Sequence, residues 1–417
     1  MKVFWSWQSD RPKAITRDFV QSALNEALAA VADDLLLDPA ERPELDHDTK
    51  GEAGLVEIVN AIFEKIRTCT VFVADVTPVA ETGQGKKVPN PNVMIELGHA
   101  LSVLGPKPLI LVANTTYGGK PDELPFDLRH RRGAITFRLK TTDDEIQRQE
   151  VHAKLVADLT DALSTNLSAA LKERDRGVEF QLFTAPSGDG STWLAPGATI
   201  EHTDFFGGSI QRLITPLGET RSYLRAAPSG WHKSKPTRLQ VKEAPPEYRL
   251  WPLGQLSSGD GGVNRLGCVS YATYRGESKT QTAAQWFDAT GEVWSFDSGI
   301  TDDIEGSRFL GHYRVLKDWD KMIRNVCGFY NHFGAKRPVR IEVGVAGLDA
   351  IRWAEPLNSG RNLALQNGVV SVLSSRDWGE QARLDFLTTS YNLLCSAFGR
   401  PTVSSQLVQR ILQSLPD

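Results

Sequence analysis

Short apolar runs alternate with longer stretches of helical spacing over residues 1 to about 172. This alternation is typical of a parallel β-sheet that is covered by helices on both faces. The apolar runs predict five strands: Val3 to Trp7, a weak strand near Leu45, Thr70 to Val76, Pro108 to Asn114, and Ala134 to Leu139. The predicted helices cover roughly Ala14 to Leu37, Leu55 to Ile66, a stretch that begins at Pro91, and Asp143 to Lys172. The pattern therefore predicts a flavodoxin-like, doubly wound α/β domain over residues 1–172.

From Gly177 onward the pattern changes to strand-rich segments that are separated by Gly, Pro and Ser. The predicted strands are Val178 to Thr184, Thr237 to Val241, Arg265 to Tyr274, Trp286 to Phe296, and Val339 to Val345. Helices are predicted at Trp319 to Phe333, Ala382 to Phe398, and Ser404 to Leu415. We expect a separate α+β domain over residues 177–417. Its size, and the absence of a catalytic constellation from its sequence, favour a sensor or oligomerisation module.

Composition narrows the class of protein. The chain has 417 residues, 41% of them hydrophobic, and a formal net charge of −4, which is usual for a globular protein of two domains. The 47 basic and 51 acidic residues give no overall positive field for nucleic acid. The four cysteines are far apart along the chain, so neither a zinc site nor a disulfide framework is expected. Because no apolar run is long enough to cross a bilayer, the expected location is the cytoplasm.

One predicted helix carries a carboxylate close to its start. Asn90 is a plausible N-cap and Pro91 suits the first helical position. An apolar stripe follows at Val93, Leu97, Ala100, Leu101 and Leu104. Glu96 borders this stripe beside Asn92 and His99. The residue is either a solvated flank residue of an amphipathic helix or a group that faces a ligand at the strand ends.

Polar residues follow the strands, where α/β sheets bind their ligands. They are Gln8, Ser9 and Asp10 after the first strand, Asp48 after the second, and Asp75 and Thr77 after the third. Asp10 alone could simply cap the next helix. The Gly- and Lys-rich segment from Glu81 to Lys87 is predicted to be a mobile surface loop with no catalytic role, because it lacks the spacing of a phosphate-binding loop. Arg129 or Arg131 could reach an anionic ligand.

Four motifs resemble those of a bacterial TIR-like domain of the nucleotide-binding kind. They are Phe4-Trp-Ser-Trp-Gln-Ser9, Asp48-Thr-Lys-Gly51, Phe72-Val-Ala-Asp-Val-Thr77, and Pro89-Asn-Pro-Asn-Val-Met-Ile-Glu-Leu-Gly98. The resemblance covers about the first third of the chain. The last motif is also similar to the catalytic helix of nucleoside 2-deoxyribosyltransferases. Both families break N-glycosidic bonds.

The TIR resemblance implies an NAD⁺ hydrolase with Glu96 as its catalytic carboxylate, NAD as substrate, and no metal or separate cofactor. The implied nucleotide-binding residues are Ser6, Trp7, Gln8, Ser9, Asp10, Asp48, Asp75, Thr77 and Asn92. Family membership would also imply a role in antiphage defence, homo-oligomerisation on activation, and an activating ligand or partner at the C-terminal domain.

Two other functions fit the same residues. The first domain could be a non-enzymatic module that binds a nucleotide or another TIR surface. Alternatively, it could exchange bases on deoxynucleosides through a covalent ribosyl adduct on Glu96.

Overall fold

The structure is a computed structural model that describes residues 1–35, 37, 41–46, 55–118, 133–186, 188–195, 197–204, 213–216, 218–254, 259–273, 279–354 and 363–414. The chain divides into two compact units, Met1–Gly177 (unit 1) and Val178–Asp417 (unit 2). The candidate residues Asp48, Arg129 and Arg131 lie outside the described residues.

Unit 1 contains a parallel sheet of five strands in the order β2-β1-β3-β6-β7. These strands are β1 (Lys2–Ser6), β2 (Glu44–Asp46), β3 (Val71–Asp75), β6 (Leu109–Asn114) and β7 (Ile135–Phe137). The predicted mixed α/β architecture with a five-stranded parallel sheet is therefore confirmed. Every residue of β3 is buried, as expected for a strand at the centre of a sheet covered on both faces.

In the part of unit 1 that the structure describes, four helices cover the two faces of this sheet: α1 (Arg17–Asp34), α2 (Leu55–Thr68), α3 (Pro91–Leu104) and α4 (Glu145–Arg176). Phe19 of α1 and Leu159 of α4 are buried in one core with Val73 of β3. Leu97 of α3 is buried in a second core with Phe72, the neighbouring residue of β3. Because successive strand residues point to opposite faces, the two cores lie on opposite sides of the sheet.

The segment predicted to be a surface loop, Glu81 to Lys87, is the turn end of a β-hairpin. Strands β4 (Pro78–Glu81) and β5 (Lys87–Pro89) pair in antiparallel fashion, with Glu81 opposite Lys87. An ion pair joins these two side chains, and Gly85 provides the positive φ of the turn. The surface position of the segment is as predicted, because residues 82–86 form the exposed turn between the two strands; the pairing of the flanking residues was not predicted.

Unit 2 is built on a sheet of nine strands. The path runs β19-β17-β10-β14-β13-β12-β11-β8 with antiparallel pairs, and β9 pairs with β13 in parallel. The strands are β8 (Thr203–Asp204), β9 (Thr215–Pro216), β10 (Arg221–Trp231), β11 (Asp260–Asn264), β12 (Gly267–Thr273), β13 (Lys279–Phe287), β14 (Val293–Asp297), β17 (Ala335–Ala346) and β19 (Gly368–Ser375). A small separate sheet has the order β15-β16-β18, formed by β15 (Thr301–Ile304), β16 (Ser307–Leu310) and β18 (Ile351–Trp353).

The two faces of the large sheet are covered differently. The helices of unit 2 are α5 (Arg238–Lys242), α6 (His312–His332), α7 (Glu380–Ala397) and α8 (Ser405–Ser414), and they share one core with Leu224 of β10. On the other face, irregular chain carrying Ala185, Trp193 and Ile200 packs against Tyr223, the preceding residue of β10. One face of the large sheet is thus covered by helices, and the other face is covered by irregular chain.

Three predicted elements of unit 2 were wrong. Thr237 to Val241 is not a strand, because Thr237 and Gln240 form a capping box that starts α5. Val178 to Thr184 has no regular secondary structure. The single strand predicted at Trp286 to Phe296 is two strands, β13 and β14, joined by a turn at Gly291.

Among the described residues, no helix is both long and apolar enough to cross a membrane. All four cysteines are free thiols, and Cys69, Cys268 and Cys395 are buried.

Asn114, the last residue of β6, links several segments at the carboxyl edge of the parallel sheet. The side chain is fully buried; its Nδ2 donates to the carbonyl oxygens of Ile15 (3.0 Å) and Leu139 (2.8 Å). Its Oδ1 accepts from the backbone N–H groups of Thr116 (3.0 Å) and Leu139 (3.2 Å). One amide therefore satisfies four backbone groups that would otherwise be buried without partners.

We expect Asn114→Ala to lower the free energy of unfolding of unit 1 by about 3 kcal/mol, because it leaves several buried backbone groups unpaired. The matched control is Asn166→Ala, since the Asn166 side chain donates only to Ala162 O within α4. Hydrogen exchange of β6 peptides in the full chain, read by mass spectrometry, would report the difference. A loss no larger than that of the control would contradict the bridging role of Asn114.

Candidate functional site

The ends of the central strands bring polar side chains together at the carboxyl edge of the unit 1 sheet. Ser6 ends β1 and Asp75 ends β3, and both are buried. Because Ser6 pairs with Ala74 in the parallel register, these two strand ends are neighbours. The crevice outside such strand ends is the usual ligand site of a parallel α/β sheet.

Helix α3 begins as the sequence predicted. Asn90 is its N-cap, and Asn90 Oδ1 accepts from the backbone N–H groups of Asn92 (2.8 Å) and Val93 (3.3 Å). Pro91 occupies the first turn, where no N–H is needed. The buried face of α3 packs on the sheet. Glu96 follows the cap by somewhat less than two turns of the helix.

Glu96 is in direct contact with the end of β1. The Ser6 hydroxyl donates to Glu96 Oε2 at 2.5 Å. Burial raises the pKa of the Glu96 carboxyl above its ordinary value, and the hydrogen bond from Ser6 partly opposes that rise. Glu96 is therefore neither a core residue nor a freely solvated one. Its carboxylate is partly desolvated and oriented by a serine of the sheet.

The loop after β1 is tied to the cap of the same helix. Gln8 is buried, and its Oε1 accepts from the backbone N–H groups of Asp10 (2.6 Å) and Arg11 (3.0 Å). The Asp10 carboxylate in turn accepts from Asn90 Nδ2 at 2.5 Å. These contacts connect β1 to the first turn of α3, on the side of the sheet edge where Glu96 lies.

Asp75 is buried at the end of β3. Its Oδ1 accepts from the backbone N–H of Thr77 at 2.9 Å, while its Oδ2 has no hydrogen-bond partner of ordinary geometry. Burial raises the pKa of Asp75 to about 6, and the Thr77 and Gln8 side chains limit the rise. Gln8 Nε2 also lacks a hydrogen-bond partner of ordinary geometry. The Thr77 hydroxyl accepts from the backbone N–H of Asn114 at 2.9 Å, which joins β3 to β6.

The other predicted residues are distributed around this edge. Trp7 is partly buried, with the Arg17 guanidinium 4.6 Å from its ring centroid. Ser9 and Asn92 are exposed. His99 stacks on Phe63 of α2 with ring centroids 4.2 Å apart, so its ring packs between two helices.

Sequence reasoning missed the two asparagines that organise the site. Asn114 was assigned only as the end of a strand and Asn90 only as a cap, although each follows the same rule of polar residues after strands or before helices. The bond from Asn90 to Asp10 and the bonds of Asn114 to Ile15 and Leu139 cannot be read from spacing, because these partners lie 25 to 99 residues away along the chain.

The arrangement offers one oriented carboxylate beside a hydroxyl at an open sheet edge. A carboxylate in such a position can stabilise a developing positive charge or attack as a nucleophile. Within the described ranges, no group of three or more His, Cys, Asp or Glu residues is placed to hold one metal ion.

Comparisons with known proteins add a weak structural likeness. No protein-family model matches the chain, and no curated protein matches it. Among solved structures, a 2-desoxiribosyltransferase from Leishmania mexicana matches with a TM-score of 0.22 and 20% sequence identity, over 37% of this chain and 97% of that chain. A likeness at this TM-score carries no functional argument.

The raised pKa of Asp75 predicts a specific pH dependence. The folded state holds its proton up to about pH 6, whereas the unfolded carboxyl, at its ordinary value of 3.8, releases it earlier. Wild-type stability relative to Asp75→Asn should therefore be unaffected below about pH 4, fall between about pH 4 and 6, and stay constant above that range. The total change is about 3 kcal/mol, from roughly two pKa units at 1.36 kcal/mol each.

Hydrogen exchange of peptides covering β3 checks this prediction when both proteins are compared at the same pH. Asp158→Asn, at an exposed position of α4, is the matched control. The ratio of its hydrogen-exchange rate to that of wild type should not change with pH. If the ratio of exchange rates between Asp75→Asn and wild type is also independent of pH, Asp75 is not held neutral by burial.

Proposed function

We propose that unit 1 cleaves the N-glycosidic bond between nicotinamide and ribose in NAD⁺, with Glu96 as the catalytic carboxylate. The observation that carries this proposal is the contact of Glu96 with Ser6, which holds a partly desolvated carboxylate at the carboxyl edge of a parallel sheet. We infer that the fold is flavodoxin-like, since the strand order places β1 between β2 and β3, with β6 and β7 following.

The chemistry follows from charge. When the bond from C1′ to the nicotinamide nitrogen breaks, both electrons leave with the nicotinamide, which becomes neutral, and positive charge remains on the ribose ring. The ionised Glu96 carboxylate stabilises this cation. Water then adds to C1′ and releases a proton, so that the products are nicotinamide, ADP-ribose and H⁺. Because the leaving group departs neutral, strong general-acid assistance is unnecessary.

We further propose that the chain is a TIR-like effector of antiphage defence in the cytoplasm, and that unit 2 controls it through a ligand or self-association. The support is the resemblance of the four motifs of unit 1. Base exchange on deoxynucleosides would use the same carboxylate as a nucleophile. It would be recognised by a covalent deoxyribosyl adduct on Glu96 in the intact mass, and by release of free base beyond one equivalent per chain only when an acceptor base is present.

We expect Glu96→Gln to reduce nicotinamide release from NAD⁺ by at least about 100-fold, because a neutral amide cannot stabilise the ribosyl cation. The fold should persist, since the amide oxygen can still accept from Ser6. Glu150→Gln, an exposed residue of α4, is the matched control and should retain activity. Release is measured at high protein concentration, where self-association is favoured. Equal nicotinamide release by Glu96→Gln and wild type would contradict the assignment of Glu96 as the catalytic carboxylate.

A second variant addresses the role of Ser6. The Ser6 hydroxyl lowers the pKa of Glu96, so Ser6→Ala should raise that pKa further. The acidic limb of the kcat/KM profile should then move to higher pH, because Glu96 must be ionised to act. Ser102→Ala, exposed on the same helix, serves as the control. A Ser6→Ala enzyme with lower activity but an unmoved limb would show that Ser6 does not tune the carboxylate.

A further inference from the structure

Unit 2 contains a cavity that the proposed reaction does not use. Its volume is about 720 Å³, and its walls come from the coil layer between Phe183 and Thr203 and from the turn that joins β11 to β12. This volume lies in the range of small-molecule sites, which is about 300 to 1,000 Å³. We propose that this cavity binds a small planar aromatic molecule that carries an anionic group.

Aromatic side chains in the wall favour a planar ligand. Trp193 lines the cavity and is itself buried, with its ring edge-on to Phe287 at a centroid distance of 6.3 Å. Phe183 also lines the cavity and stacks on Phe287 at 4.2 Å. The rings are thus supported from behind by the aromatic core of the sheet, and the partly exposed Phe183 presents apolar surface suited to another flat ring.

An ion pair between Arg225 and Glu292 holds the backbone of Phe183 in the wall of the cavity. Glu292 is buried, and it pairs with Arg225 at 2.8 Å. Glu292 Oε2 accepts from the backbone N–H of Phe183 at 2.6 Å, and Arg225 donates to the Phe183 carbonyl oxygen at 3.1 Å. The coil layer is therefore anchored to β10 and β14 at this point, so this part of the cavity is preformed.

The polar groups of the lining indicate the charge of the ligand. His202 is not available, because its Nδ1 contacts Thr203 O at 3.0 Å and its Nε2 contacts the Tyr271 hydroxyl at 2.8 Å. Arg238 also lines the cavity, and it is ion-paired with Asp288, a residue that does not line it.

The exposed side chain of Arg265 makes no hydrogen bond or ion pair with the described residues, so its five N–H donors can serve a ligand. Glu201 is the single carboxylate among the described residues of the lining, and Asp288 already neutralises Arg238. Arg265 is therefore the lining cation left to bind an anionic group, which it can hold by charge-assisted hydrogen bonds.

A pair of probes with related ring systems tests this proposal on the full chain. 8-Anilinonaphthalene-1-sulfonate carries an anionic group, and N-phenyl-1-naphthylamine is its neutral counterpart. Fluorescence titration should show saturable binding of the sulfonate, and calorimetry should give one equivalent per chain. Hydrogen exchange should slow on binding in peptides that cover residues 193–203 and 263–267.

Three variants locate the site. Ala198→Phe fills the cavity and should weaken binding of both probes by about tenfold or more, since the ring space is lost. Arg265→Ala should weaken the sulfonate by about tenfold and leave the neutral probe within about twofold. Arg410→Ala, an exposed residue of α8 outside the lining, is the matched control and should bind both probes as wild type does.

Sulfonate binding that survives Ala198→Phe, or no saturable binding by wild type, would overturn the proposal. If Ala198→Phe fails to fold, Thr199→Phe at an exposed lining position is the substitute, with the same expected loss. Weaker sulfonate binding by Glu201→Ala, together with stronger binding by Arg265→Ala, would overturn the assignment of an anionic ligand.

Discussion

A parallel sheet leaves backbone groups unpaired where its strands end, and in unit 1 polar side chains supply the missing partners. Asn114 satisfies four such groups, and Thr77 accepts from the backbone of Asn114 itself. The side chain of Gln8 likewise accepts from two backbone N–H groups of the loop after β1. Because an unpaired buried group is costly, these contacts fix the loop conformations around the sheet edge. The candidate site depends on this hydrogen bonding, since Glu96 lies against the same edge.

Burial and hydrogen bonding act in opposite directions on the two carboxyl groups of the edge. Asp75 is fully enclosed, and its desolvation outweighs the donors that it receives. Glu96 is only partly enclosed and keeps one strong donor, Ser6. A carboxyl group that must be ionised during a reaction needs an environment that penalises its charged form less. Glu96 is less deeply buried than Asp75 and therefore meets this requirement better. The geometry thus separates a structural acid from a candidate catalytic one.

Sequence patterns predicted the parts of the structure that depend on local periodicity. Buried apolar runs gave the five parallel strands, and the cap with its following proline gave the start of α3. Elements that depend on distant partners were missed. β10 was not predicted, because Arg221 and Arg225 interrupt its apolar pattern, and only the structure shows that they pair with Asp189 and Glu292. The same limit applies to the site, where Glu96 could be proposed but its contact with Ser6 could not.

The side-chain amide of Asn90 joins the first turn of α3 to the loop after β1. Asn90 uses its oxygen on the helix backbone and its nitrogen on Asp10, so rotating the amide by half a turn would break both interactions. A molecule that displaced the exposed Asp10 would therefore remove one of the contacts of Asn90, the N-cap of the helix that carries Glu96. The loop after β1 and the start of that helix are thus linked through one side chain, separately from the hydrogen bonds between the strands.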